Sequence, residues 1–151
     1  MHTLYFEDLK IGDQFVCPGV TLTESDIIGF GLAFDPQPFH INQIAATNSI
    51  YGGLIASGFH VIALSFRLFT QLGLFHGSSM GSPGLDEVRW TMPVRPGDTI
   101  NTEVMVETVT PSRSKSDRGV ARLLFKASNQ RQEMVASFYL TLMLKSRASI
   151  A

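Results

Sequence analysis

The sequence contains a single cysteine, Cys17, which excludes both an internal disulfide and a cysteine-based metal cluster. We expect this free cysteine to be a small buried hydrophobe. Histidine is also sparse: the four histidines show no His-x3-His spacing, whereas a metal site needs three or four converging ligands. We therefore predict no metal. The chain also lacks a Gly-x-Gly-x-x-Gly pattern and a phosphate loop, which disfavours nucleotide-dependent chemistry, and we predict no cofactor.

The sequence also lacks an excess of either charge, and it lacks long apolar runs. Twelve basic and thirteen acidic residues give a formal net charge of −1, so there is no electrostatic reason to expect nucleic acid or an anionic membrane as a partner. No apolar stretch approaches the roughly 18 residues of a membrane span. The first eight residues lack a basic start followed by an apolar run. We therefore predict a cytoplasmic protein without a membrane partner.

The chain does have enough apolar residues for a core. With 151 residues, 44% of them apolar, we predict one domain spanning residues 1–151. The hydrophobic pattern predicts strands at residues 13–22, 87–92, 99–109, 120–128 and 133–145, and helices at residues 23–34, 42–48 and 57–72.

The helix predicted at residues 57–72 is apolar at nearly every angle, so we expect it to be buried on most sides. Only His60, Arg67 and Gln71 form a narrow polar stripe along it. One long helix is followed by four strands that we expect to pair in sequence order. This pattern predicts an α+β protein in which an antiparallel sheet wraps around the central helix.

The stretch from Ala33 to Asn42, Ala-Phe-Asp-Pro-Gln-Pro-Phe-His-Ile-Asn, contains the strongest candidates for catalysis. Pro36 and Pro38 fix φ and disfavour helix in the residues before them. We therefore expect Asp35 and His40 to lie on a stiff, non-helical connector. A carboxylate near an imidazole suits acid and base chemistry on a water molecule. From spacing alone a structural role stays open, because Asp before Pro often starts a turn and a lone His is usually only packed.

A wider set of motifs resembles a known family. The sequence Asp-x-Gln-Pro-Phe-His is followed by two alanines at residues 45–46, by Tyr-Gly-Gly-Leu-Ile-Ala-Ser-Gly at residues 51–58, and by Val-Arg-Pro-Gly-Asp at residues 94–98. These motifs resemble the MaoC-like (R)-specific enoyl-CoA hydratases over nearly the whole chain. The resemblance implies the hot-dog fold and favours a catalytic role for the Asp-His pair. The chain departs from the pattern at Gln37, where many members have Asn.

Gly53, Gln37 and Ser57 are the candidate substrate-binding residues. Gly52 and Gly53 precede the long helix, whose first turn has free N–H groups that can hold an oxygen as it gains negative charge. From the residues alone, a flexible entry to the helix explains both glycines equally well. The resemblance favours Gly53 as a carbonyl-binding position. Ser57 is a candidate for lining the pocket or for capping the helix, and we favour the cap.

The resemblance implies an enzyme that adds water to a trans-2-enoyl-CoA, or removes it from a (3R)-3-hydroxyacyl-CoA, so an acyl-CoA thioester is the expected partner. Two alternatives stay open: a hot-dog thioesterase, in which water attacks C1, and a non-catalytic acyl-CoA-binding module. The basic residues Arg113, Lys115 and Arg118 fit a solvated turn better than a phosphate site, so none is assigned to coenzyme A.

We also expect a homodimer or a higher oligomer, because joining two sheets edge to edge removes an exposed edge from each. The resemblance implies a pocket at the interface, with Gly53 of one chain facing the dyad of the other. Bulky Phe59, Phe66 and Phe69 on the long helix predict tight packing around that pocket, and hence short or branched acyl groups of roughly four to six carbons.

Overall fold

The computed structural model describes residues 2–150 and contains four α-helices and five strands within them. The helices are α1 (Glu24–Phe34), α2 (Pro38–Ile41), α3 (Gln43–Thr47) and α4 (Gly58–Thr70). The strands are β1 (Gln14–Thr21), β2 (Gly84–Trp90), β3 (Thr99–Pro111), β4 (Arg118–Ser128) and β5 (Met134–Lys145). No helix among the described residues has the length and apolar character that crossing a membrane requires.

The five strands form one antiparallel sheet in the order β1-β3-β4-β5-β2. The expected pairing in sequence order is correct for β3, β4 and β5 but wrong for β2, which pairs with β5 instead of β3. The segment between β2 and β3, residues 91–98, contains Pro93 and Pro96 and is not a tight hairpin turn. Because β1 occupies the other edge of β3, β2 adds to the sheet at the opposite end.

The core lies between α4 and the concave face of the sheet. Alternate residues of the three central strands are buried, among them Ile100, Val104, Val106, Ala121, Leu123, Phe125, Phe138, Leu140 and Leu142. They belong to the same cluster as Val61, Leu64, Leu68 and Phe69 of α4, and the Phe69 ring meets the Phe125 ring edge-on at 5.2 Å. The sheet therefore wraps around the central helix, as the α+β prediction requires.

α4 is more exposed than the sequence predicts, since burial on most sides was expected. The helix buries one side, but Phe59 is 63% exposed and Phe66 is 39% exposed. The sheet covers only the side of the helix that faces it, and the Phe59 ring contacts the Trp90 ring of β2 with centroids 5.9 Å apart. An apolar surface on α4 is consequently left open within one chain.

Candidate active site

Asp35 lies where α1 ends. Its backbone N–H donates to the Gly31 carbonyl at 2.9 Å and closes the last turn of the helix. Pro36 follows, and the residue before a proline is disfavoured in helical conformation, so α1 cannot continue. The helix end therefore fixes the backbone of the carboxylate. His40 comes five residues later, and its Nε2 lies 3.2 Å from Asp35 Oδ2.

The expectation of a non-helical connector is wrong for His40, which lies in the single helical turn α2. Pro38 is the first residue of this turn, a position where the missing N–H costs nothing and the fixed φ already suits a helix. The Asn42 N–H donates to the Pro38 carbonyl at 2.9 Å and closes the turn. The turn brings the imidazole back toward the end of α1, which an extended segment would not do.

Gly31 makes this approach sterically feasible. A Cβ placed on Gly31 would lie 2.8 Å from a methyl carbon of Ile41 and 3.0 Å from the Cβ of His40. By contrast, a Cβ on Gly29, two residues closer to the start of the same helix, would meet nothing within 4 Å. Gly31 therefore allows α2 to pack against α1. Sequence motifs give no signal for this residue, because only the packing distinguishes it from Gly29.

The Asp35 carboxylate is held by two side chains besides His40. The Ser57 hydroxyl donates to Oδ2 at 2.7 Å, and the Gln37 amide donates to Oδ1 at 2.8 Å. The hydrogen bond from Ser57, with smaller contributions from Gln37 and His40, holds the pKa of Asp35 below its ordinary value, although partial burial opposes the shift. The carboxylate is consequently ionised and fixed in orientation at neutral pH.

His40 is 4% exposed, and its protonation pattern is set by a backbone group. Its Nδ1 lies 2.7 Å from the Ile55 carbonyl oxygen, which can only accept a hydrogen bond. Nδ1 therefore carries a proton, and in the neutral ring Nε2 is the nitrogen with a free lone pair. Nε2 lies 3.2 Å from Asp35 Oδ2, a distance that leaves no room for a water between them, but a water beside the pair can donate a hydrogen bond to each atom. Sequence motifs gave no signal for the Ile55 carbonyl, since any residue supplies one.

The favoured role of Ser57 as a helix cap is wrong. Ser57 is the residue before α4, but its side chain makes no capping hydrogen bond. The buried hydroxyl instead donates to Asp35. Gln37 likewise contacts Asp35, and its extra methylene relative to Asn does not prevent an orienting hydrogen bond. In this structure both residues, predicted to bind substrate, position the carboxylate.

Gly53 is not at the start of the long helix. α4 begins at Gly58, five residues later, and the Gly53 carbonyl accepts a hydrogen bond from Arg95 Nη1 at 3.2 Å. The N–H groups of Gly58 and Phe59 have no acceptor among the described residues, whereas those of the next two residues donate to the Ser57 carbonyl. The unpaired donors of the helix therefore lie at Gly58, directly after the serine that contacts Asp35.

Residues 8–127 match the sequence profile described as the MaoC like domain. The chain belongs to the MaoC-like dehydratase family. This match confirms the resemblance of the motifs, and the structure confirms the hot-dog fold. The Asp-His geometry therefore lies within a fold and a family in which water addition and removal are established reactions of named members.

Several relatives show how far the similarity extends. A crystal structure of a MaoC-like dehydratase from Rhodospirillum rubrum superposes with a TM-score of 0.88 at 37% identity, covering 95% of this chain and 98% of that one. An (R)-specific enoyl-CoA hydratase of the same organism is 31% identical over 115 residues, 72% of this chain and 74% of the relative. Protein MaoC of Klebsiella aerogenes is 34% identical over 120 residues, but the match spans only 35% of its length.

At the start of α4, this MaoC-like chain has a groove of about 210 Å³, which Asp35 and His40 do not line. It is lined by Tyr51, Ile55, Ala56, Gly58, Val61, Trp90, Thr91, Met92, Pro93 and Val94. Trp90 lies so close to Gly58 that a Cβ at that position would be 2.3 Å from the indole ring. Glycine at position 58 therefore permits the indole to cover the helix start while leaving the backbone N–H without a protein partner.

A second cavity, of about 300 Å³, lies toward the other end of α4. Its lining is mostly apolar and consists of Phe66, Phe69, Thr70, Phe75, His76, Ser79 and Leu142. Phe69 is buried in the core, but the close packing expected around Phe66 is not found, because this cavity lies beside it. Packing around these rings therefore does not restrict the acyl group to the short chains expected from the sequence.

Proposed function

We propose that the protein is a hydro-lyase that adds water to the 2,3 double bond of a trans-2-enoyl-CoA to give a (3R)-3-hydroxyacyl-CoA, and catalyses the reverse dehydration. The observation that carries this proposal is the contact of 3.2 Å between Asp35 Oδ2 and His40 Nε2, with each group held by further hydrogen bonds. The similarity to an (R)-specific enoyl-CoA hydratase supports the reaction and the thioester class of substrate.

The two members of the dyad have different roles in this proposal. Asp35 stays a carboxylate, because its lowered pKa and its two side-chain donors stabilise the ionised form. It accepts a hydrogen bond from the attacking water and orients it. His40 changes its protonation state: with Nδ1–H fixed on Ile55, its Nε2 takes a proton from the water as the oxygen bonds to C3, and then returns a proton to C2.

Negative charge develops on the thioester oxygen when the water oxygen adds to C3 and the electron pair of the double bond moves toward the carbonyl. We place this oxygen at the N–H groups of Gly58 and Phe59, at the positive end of α4, instead of at Gly53. The contact between Ser57 and Asp35 supports this position, because it brings the helix start and the dyad together within one chain.

The protein is a homodimer in this proposal. β2 is an edge strand, and its residues Leu85 and Trp90 are 39% and 49% exposed. Phe59 and Phe66 of α4 are also exposed, and the Phe59 ring contacts the Trp90 ring with centroids 5.9 Å apart, so α4 and β2 share exposed apolar groups, which is typical of a surface that another protein covers. The dyad and the helix start come from the same chain, so the partner closes the apolar side of the site and does not complete the dyad.

One assay tests the reaction against its alternatives. Crotonyl-CoA is incubated with the protein while the absorbance of the conjugated double bond and the release of free thiol are measured in parallel. The hydratase proposal expects loss of absorbance without thiol release, and a (3R) product by chiral chromatography. Thiol release would identify a thioesterase. Binding of the CoA ester without either change would identify a non-catalytic module.

A further inference from the structure

The Ile55 carbonyl that orients His40 belongs to a segment without regular structure. Residues 48–57 contain neither helix nor strand, and Gly52 has a φ of +67°. A segment of this kind has no ladder of backbone hydrogen bonds to fix its carbonyl groups. The position of the imidazole therefore depends on whatever holds this loop.

Arg95 is the side chain that holds the loop. Its Nη1 donates to the Gly53 carbonyl at 3.2 Å, and its Nη2 donates to the Tyr51 carbonyl at 2.5 Å. The two carbonyl groups are two residues apart, and the planar guanidinium spans both with separate N–H groups. A lysine ammonium is a compact point charge without this fork, so it does not reproduce the geometry.

The backbone of Arg95 is itself held by hydrogen bonds. Its backbone N–H donates to Asp98 Oδ2 at 2.8 Å, and Asp98, which is 5% exposed, accepts a second hydrogen bond from the Gln130 amide at 2.9 Å. The neighbouring Val94 carbonyl accepts from the Ala56 N–H at 2.9 Å. The turn before β3 and the loop before α4 are therefore joined by backbone and side-chain hydrogen bonds.

The charge of Arg95 is not neutralised by a neighbouring acid. Among the described residues no carboxylate oxygen lies within 4.0 Å of its guanidinium as an ion pair. Its hydrogen-bond partners are the two loop carbonyl groups. Hydrogen bonds from a charged donor are stronger than those between neutral groups, so this arrangement holds the loop more firmly than a neutral side chain would.

Two contacts link the held loop to His40. Ile55 bonds to the α2 turn twice: its N–H donates to the Phe39 carbonyl at 3.1 Å, and its carbonyl accepts from His40 Nδ1 at 2.7 Å. At the other end of the loop, the Tyr51 ring packs against the Phe39 ring with centroids 5.1 Å apart. A displacement of the loop would therefore reach the imidazole from both sides.

We propose that Arg95 is a positioning residue for catalysis, which keeps His40 in the Nδ1–H form by holding the Tyr51–Ile55 loop. The catalytic consequence rests on the proposed function, since it assumes that His40 Nε2 exchanges a proton with water and substrate. The effect on the imidazole itself does not rest on it. Arg95 acts through the loop and needs no contact with substrate.

The test uses Arg95→Met and Arg95→Lys in the full chain, with Arg113→Met as the matched control. Arg113 is exposed and lies in the turn between β3 and β4, at the end of β3 that is far from Arg95. In Arg95→Met we expect kcat to fall by about tenfold or more with KM within about twofold, because the imidazole is misplaced while the substrate pocket remains. Arg95→Lys should show most of this loss, and Arg113→Met none.

The second measurement reports the tautomer of the His40 imidazole directly. Nitrogen-15 NMR distinguishes the two neutral tautomers of histidine, and the His40 signals are identified by their loss in His40→Gln. In the wild type we expect the Nδ1–H form alone, and in Arg95→Met a mixture with the Nε2–H form. A role confined to stability would lower the melting temperature without changing the tautomer or kcat at 25 °C. Either an unchanged tautomer or an unchanged kcat in folded Arg95→Met overturns the proposal.

The outcomes also separate this proposal from the proposed function. If Arg95→Met does not fold, Arg95→Lys is judged by the same two criteria. If the wild-type protein does not hydrate any enoyl-CoA, the proposed function fails, yet the NMR comparison still shows whether Arg95 orients His40. If hydration is found and the tautomer is insensitive to Arg95, only the positioning role is refuted.

Discussion

The two ends of α4 differ in almost every physical respect. At the first end, Ser57 is buried, Asp35 and His40 are bound to named partners, and the carboxylate contacts lie between 2.7 and 3.2 Å. At the far end, Phe66 is partly exposed and the neighbouring cavity of about 300 Å³ is mostly apolar. The first end of α4 holds polar side chains in fixed positions, whereas the far end borders an apolar cavity.

This difference separates the chemistry from the choice of substrate. In the proposed reaction, the directional hydrogen bonds at the helix start fix which atoms exchange protons, and they come from one chain. Apolar contact at the far end is non-directional and tolerates different shapes, so it is suited to acyl groups and to a partner subunit. Substitutions at the first end should change rates strongly, whereas substitutions at the far end should change selectivity more modestly.

Removing the reacting groups should have the largest effect. We expect Asp35→Asn and His40→Gln each to lower kcat for crotonyl-CoA hydration by at least about 100-fold, the low end for a positioned acid or base. Because both groups act on one water, the double variant should be little slower than the slower single variant. Asp117→Asn, which changes an exposed acid in the β3–β4 hairpin, is the control. Near-normal turnover in either dyad variant would contradict the assignment.

Gly31→Ala should have the next largest effect. The new Cβ would overlap Ile41 and press on His40, so α2 must shift away from the end of α1. A displacement approaching 1 Å can cost up to about 100-fold in rate, and we expect about 30-fold in kcat together with a lower free energy of unfolding. Circular dichroism and steady-state kinetics measure the two effects.

Gly29→Ala is the matched control for that substitution. A Cβ there meets nothing within 4 Å, and alanine favours helix over glycine by about 1 kcal/mol. The free energy of unfolding should therefore rise while kcat stays unchanged. Equal kinetic losses in Gly29→Ala and Gly31→Ala would show that α1 responds to any added methyl group and that the approach of α2 is not special.

Ser57→Ala should lower kcat/KM at pH 7 by about tenfold, which corresponds to the free energy of roughly one hydrogen bond to a charged group. The Ser57 hydroxyl is the largest cause of the lowered pKa of Asp35, so its removal should raise that pKa. The titration of the Asp35 carboxyl, followed by carbon-13 NMR, should consequently move to higher pH. An unchanged titration would show that Ser57 does not set the pKa of Asp35.

Ser57→Ala should also change how the free energy of unfolding depends on pH. A carboxyl whose native pKa lies below its unfolded value of about 3.9 stabilises the folded state above that pH and loses this contribution as the pH falls through the native pKa. Because Ser57→Ala reduces the shift, the difference in free energy of unfolding between wild type and variant should be larger at pH 7 than at pH 3. Urea unfolding at the two pH values measures it.

The sequence predicted the fold well because its signals are local. The alternation along β3, β4 and β5 and the apolar run of α4 each lie within one segment, and they gave the elements correctly. The place of β2 was wrong because partner choice at a sheet edge depends on β1, which is far away in the chain. Strand pairing of this kind has no short sequence signature.

At the candidate site, too, the sequence predicts local features but not contacts between distant segments. Asp35 and His40 were found from a motif of six residues, and the structure brings them together. Their partners were misassigned, since a serine before a helix caps it in most proteins and only the fold directs Ser57 to Asp35. The Ile55 carbonyl had no signal at all, because backbone groups are the same in every residue.

Acyl selectivity should show the smallest effect, and it tests the far end of α4. Phe66 is eight residues from Gly58, about 12 Å along the helix axis. A four-carbon acyl group with bonds of about 1.5 Å is too short to reach the cavity beside Phe66, whereas an eight-carbon group approaches it. We expect Thr70→Phe, which fills this cavity, to lower kcat/KM for trans-2-octenoyl-CoA by about fivefold, or about 1 kcal/mol, and to leave crotonyl-CoA unchanged.

Gln71→Phe introduces the same ring one residue further on, at an exposed position that does not line the cavity, and should affect neither substrate. Measuring kcat/KM across trans-2-enoyl-CoAs of four to ten carbons in wild type and both variants completes the test. If the wild-type value falls steeply beyond six carbons, the aromatic rings of α4 exclude long chains and the cavity is not reached. If Thr70→Phe lowers the values for eight and ten carbons alone, the open end of α4 accepts the acyl tail, since only a group that enters the cavity can sense that it has been filled.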